Sequence, residues 1–119
     1  MGSGAMKVVL PLPENLANSR LHWAAKNRVR ANYMLLCTAA HPARPVEPIA
    51  PAVLHATLYV WNRNDEDNAV ARLKWAIDWL VDRQIILDDH PSALRLGTVT
   101  QEIDRKNQRL ELYLTEAMW

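Results

Sequence analysis

The chain has 119 residues, enough for one domain to bury its own core, and with half of them hydrophobic and 23% charged it is not a disordered or low-complexity chain. A formal charge of +1 neither demands nor excludes a polyanionic partner, so a nucleic-acid reading must rest on where the charges lie. Cys37 is the sole cysteine, which rules out an internal disulfide and a cysteine-rich zinc site and leaves oxygen donors for any metal.

Met1 to Ala5 reads as a cloning remnant, with Met6 as the natural start. Lys7 to Leu10 is a short apolar run stopped by Pro11 and Pro13, which predicts an edge strand because proline cannot donate to a ladder. From Ser19 to about Ala40 there is neither proline nor glycine, and Leu21, Ala25, Val29, Leu36 and Ala40 recur at helical spacing. The other faces of this first helix carry Arg20, Lys26, Arg28 and Arg30, which form either an ordinary solvated face or a basic surface for a phosphate backbone. Pro42, Pro45, Pro48 and Pro51 then recur every third residue, the period of a stiff, extended connection. Val53 to Trp61 alternates apolar and polar residues, predicting a strand with one core face.

Asp67 to Val81 returns to helical spacing, with Val70, Leu73, Ile77 and Leu80 as the core stripe of a second helix. Gln84 to Leu87 is a short apolar segment ending at Asp88-Asp89, and His90-Pro91 redirects the chain. Thr98 to Glu102 and Gln108 to Leu114 alternate around a polar turn at Asp104 to Asn107, predicting a C-terminal hairpin. The expected fold is α+β: a single small domain in which a mixed sheet carries two main helices and a C-terminal hairpin. No apolar stretch is long enough to span a bilayer and no secretion signal is present, so the expectation is a cytoplasmic chain without a membrane partner.

The chemistry-bearing residues are acidic. Asp65 and Asp67 stand two apart where the second strand gives way to the second helix. If Asp65 is extended and Asp67 sits at the helix cap, both carboxylates can face one cation. The plainer reading makes Asp65 to Asn68 a helix start and Asp88-Asp89 a turn opener. Together the two clusters bracket one helix with three hard oxygen donors, Asp65, Asp67 and Asp89, which suits Mg²⁺. Lys74 and Asp78 fall on the same helical stripe as Asp67, either as an exposed ion pair or with the Lys74 ammonium facing a bound phosphate.

These residues resemble the RusA family of Holliday junction resolvases. The likeness runs through Arg63-Asn64-Asp65-Glu66-Asp67-Asn68, then Leu73-Lys74-Trp75-Ala76-Ile77-Asp78-Trp79-Leu80, then Leu87-Asp88-Asp89. Leu10-Pro11-Leu12-Pro13 with Asn18 and Arg20 is similar to that family's first strand, and Arg109-Leu110-Glu111-Leu112 with Thr115-Glu116 to its last, so residues 6–119 would be one RusA-like domain. The resemblance implies a phage or prophage type of homodimeric endonuclease that cuts four-way DNA junctions with Mg²⁺ or Mn²⁺. It makes Asp65, Asp67 and Asp89 the metal carboxylates, with Asp88 beside them and Lys74 the catalytic lysine. Lys74 follows Asp67 by seven residues where the family has about four, an insertion near Ala69 to Arg72 that leaves Arg72 as an alternative cation. DNA arms would be held by Arg20, Lys26, Arg28, Arg30, Arg63 and Arg72. Trp75 and Trp79 are expected at the dimer contact. The alternative is a non-catalytic DNA-binding or interaction protein that keeps the fold.

Overall fold

The computed structural model describes residues 5–14 and 23–117. Strand β1 (Ala5–Leu10), helix α1 (Trp23–Ala40), strand β2 (Ala52–Val60), helices α2 (Glu66–Ala71) and α3 (Lys74–Asp82), and strands β3 (Leu94–Ile103) and β4 (Arg109–Glu116) follow in chain order. The class is α+β with a four-stranded mixed sheet. β1 begins at Ala5, which pairs with Thr115, so the first strand reaches back into the stretch set aside as a remnant.

The strands lie in the order β1-β4-β2-β3. β4 is antiparallel to both β1 and β2, and β3 is parallel to β2. The expected C-terminal hairpin is therefore absent, because β2 lies between β3 and β4. Alternation along a strand states which face is buried and is silent about its neighbour. β2 settles the matter: Ala52, Leu54, Ala56, Leu58 and Val60 are all buried on one face, and an inserted β4 pairs its second edge. The polar turn does exist, but it carries the chain over the end of β2, where the Asp104 N–H donates to the Val60 carbonyl at 2.9 Å.

All the helices pack on one side. Leu110, Leu112 and Leu114 of β4 and Val8 and Leu10 of β1 join the buried β2 residues under Leu73, Ala76, Trp79 and Leu80. Helix α1 contributes Tyr33 and Cys37, not the stripe expected from spacing: Leu35 and Leu36 are exposed, and Ser19 and Leu21 lie outside the described residues. Burial pushes the Cys37 thiol up to about 11. Trp79 is fully buried and its indole N–H donates to Thr38 Oγ1 at 2.9 Å, so it is core rather than dimer contact. Trp75 is partly buried against Tyr33, with ring centroids 6.2 Å apart.

The second helix is two helices. Leu73 N–H reaches back three residues to the Val70 carbonyl at 3.0 Å, a tighter turn than the α-helix makes, and α3 starts afresh at Lys74. At this break Leu73 is fully buried, while Arg72 Nε and Nη2 both donate to the Pro13 carbonyl at 3.0 and 2.6 Å. Tyr33 Oη holds the Pro11 carbonyl at 2.8 Å, so two helices grip the segment after β1. Among the described residues no helix is long and apolar enough to cross a membrane.

Candidate active site

The polar stripe of α3 faces a cleft. Lys74 and Asp78, one turn apart, line a cavity of about 260 Å³ with Asp89, Val70, Ile77, Leu94 and Leu96. Two motifs separated in sequence thus meet between α3 and the start of β3. Asp78 and Asp89 also border a wider cleft of about 680 Å³ between α1 and α3, where Arg30 Nη2 donates to Asp78 Oδ2 at 3.2 Å.

The turn that presents Asp89 is self-braced. Asp88 Oδ1 accepts the Asp89 N–H at 2.7 Å, His90 Nδ1 accepts the Ser92 N–H at 3.1 Å, and the His90 carbonyl accepts from both Ala93 and Leu94. Asp88 thus serves the turn. Asp89 stays exposed at the cleft.

The second acidic cluster is placed by a latch that the sequence motifs do not reveal. Gln101 on β3 accepts the Asn64 N–H and donates to the Asn64 carbonyl, both at 2.8 Å, so one amide pins the loop preceding Asp65 to the sheet. Asp65 is the N-cap of α2 with an extended backbone (φ −59°, ψ 151°) and makes no side-chain capping bond. Its carboxylate is not used as a cap. Asp67 lies inside the first turn of α2, two residues past the cap position that the shared-cation geometry requires of it. Between them Glu66 lines a second cavity of about 300 Å³ with Gly97, Val99 and Gln101, which shares Val70 and Leu96 with the Lys74 cleft. Asp65 and Asp67 line neither of these two cavities.

Mg²⁺ or Mn²⁺ needs hard oxygen ligands that converge. Among the described residues no three His, Cys, Asp or Glu side chains are gathered as such a group. The carboxylates of Asp65, Asp67, Asp88 and Asp89 are thus not gathered into one preformed group in this structure. Lys74 and Asp89 are brought together, with Asp78 as an addition that spacing alone read as a simple ion-pair partner. The helical period carried that signal.

The cations divide. Arg72 is half-buried against Pro13, and burial lowers its pKa, so its role is to hold the chain after β1 rather than to serve as a surface cation. Arg30 is engaged by Asp78. Arg28 and Arg63 are exposed and Lys26 is half-exposed, while Arg20 lies outside the described residues. Arg105 stacks 5.3 Å from the exposed Trp61 ring and bonds the Trp61 carbonyl and Asn62 Oδ1, both at 3.1 Å. No protein-family model matches the chain, and no curated protein matches it.

Proposed function

We propose that the chain is a structure-selective endodeoxyribonuclease of the RusA type, resolving four-way DNA junctions by paired phosphodiester hydrolysis. The observation that carries this reading is the meeting of Lys74 with Asp78 and Asp89 in one cleft. In it the Lys74 ammonium holds a phosphate oxygen and offsets the charge that develops there during attack. Asp89, exposed on its braced turn, accepts the proton of the attacking water, and Asp78 is held in place by Arg30. The junction arms lie along Arg20, Lys26, Arg28 and Arg63 through their phosphates, which gives recognition by shape. Paired cuts need two such clefts, hence a homodimer.

The test is cleavage of synthetic four-way junctions with Mg²⁺ or Mn²⁺ and with EDTA. The wild type should cut in the metal arms, and Asp89→Asn and Lys74→Ala should each lose about a hundredfold in turnover or more while still binding the junction. Cleavage at wild-type rate in both variants would sink the assignment. The spread of the carboxylates favours one second reading, a non-catalytic junction-binding protein with the same surface. In that case the junction is bound but not cut, and a divalent-metal titration finds no site.

A further inference from the structure

The two edges of the sheet are guarded very differently. β1 is short, carries Lys7, and runs into Pro11 and Pro13, all of which discourage strand addition. β3 has ten residues, Leu-Arg-Leu-Gly-Thr-Val-Thr-Gln-Glu-Ile, with no lysine and no proline. No described strand pairs with its outer edge, and Leu96 and Ile103 on it are 43% and 50% exposed. Its one irregularity is a bulge, where Gly97 and Thr98 together stand against His55.

We propose that this edge is the contact with a second copy of the chain, β3 against β3 in antiparallel register about a two-fold axis at Val99. The register follows from the strand itself. Val99 pairs with Ala56, the midpoint between Ala52 and Val60, to which the ends of β3, Leu94 and Ile103, are matched. Centring the axis at Val99 therefore overlaps the two strands along their whole length and sets the bulge opposite Thr100 of the second copy. Leu94 then meets Ile103 of the second copy. Arg95 meets Glu102 of the second copy, and the symmetry repeats each contact. Arg95 and Glu102 share the open face of the sheet, since their partners Val53 and Tyr59 alternate with the buried residues of β2. The charges Arg95 and Glu102 and the end residues Leu94 and Ile103 are thus self-complementary, while Leu96 faces Gln101 of the second copy.

A two-fold axis perpendicular to the sheet keeps the helices of both copies on the same side. Leu96 lines both the Lys74 cleft and the Glu66 cavity, so the pairing sets the two copies' clefts on either side of the axis and on one face. The contact itself rests on the strand and not on the nuclease reading, and its test uses neither DNA nor metal. Sedimentation equilibrium of the full chain from about 1 to about 100 µM should give a dimer. Arg95→Glu and Glu102→Arg, both at exposed positions, should each weaken it by about tenfold or more, with far-UV circular dichroism checking the fold. An equimolar mixture of the two variants should recover the wild-type affinity. In that heterodimer the introduced glutamate of one copy faces the introduced arginine of the other, and the remaining contact is the native one between Arg95 and Glu102. A monomer throughout, a dimer indifferent to both substitutions, or a mixture no tighter than the single variants overturns the proposal. Failure of junction cleavage leaves it standing.

Discussion

His41 lies edge-on to Trp79, with ring centroids 6.3 Å apart, and its Nε2 has no hydrogen-bond partner among the described residues. Burial first, and then the charge of Arg83, hold its pKa below the usual histidine value. A base whose folded pKa is lowered takes up a proton more readily when unfolded. Its contribution to stability is therefore complete above the ordinary histidine pKa and is lost as pH falls from there through the lowered folded value. His41→Gln should shrink the fall in urea midpoint between about pH 7.5 and about pH 5.5, and an unchanged fall would assign the acid response elsewhere. The same residue-level attention separates the candidate site's members: Asp88 is engaged by its own turn, and Asp65 is left without a capping bond.

Helix α3 ends on a residue with positive φ that is not glycine. Gln84 has φ 58°, its N–H reaches the Val81 carbonyl at 3.0 Å, and Ile85 N–H reaches the Leu80 carbonyl at 2.9 Å. This is a Schellman ending closed by the buried pair Ile85 and Leu80. An L side chain in that region costs about 1 kcal/mol, partly offset here by the Gln84 Nε2 bond to Val81 at 3.0 Å. Gln84→Gly should therefore raise stability by about 0.5 kcal/mol, read from chemical denaturation. A loss of stability would mean that the side-chain bond outweighs the strain. The element matters because Ile85 and Ile86 dock beside Ile49 and lead directly into the Asp89 turn.

At the scale of the molecule, β4 joins the two halves of the sheet. Leu112 is buried and stands between Val8 on β1 and Ala56 on β2. Leu112→Ala should cost about 2–5 kcal/mol in urea unfolding, the range for a leucine deleted from a closed core. A hairpin strand at the sheet edge would have half its neighbours, and a cost under about 1 kcal/mol would contradict the inserted position. The turn before β4 is clasped on the surface by Arg109, which bonds Asp104 at 3.0 Å and Glu111 at 2.7 Å and lies 3.7 Å above the Tyr59 ring. Those contacts hold the carboxyls of Asp104 and Glu111 below the usual range. The strand that closes the fold is thus also held at its entrance.

Much of this was readable from the chain. Period-two alternation identified β2 and its buried face, the polar turn after Ile103 was correctly placed, and helical spacing put Lys74 and Asp78 on one stripe. Such patterns are local, because a side chain's direction depends on the backbone within a few residues of it. The neighbour of each strand, the break at Arg72-Leu73, the burial of Tyr33 and Cys37 in place of Leu36, and the Gln101 latch on Asn64 were not local. Each depends on a partner far along the chain, and many partners satisfy the same pattern equally well. The acidic motifs show the limit most clearly. Sequence brought Asp65, Asp67 and Asp89 into one list, but packing set Asp89 beside Lys74 and left the other two outside that cleft, because distances between carboxylates are set by how helices dock on a sheet.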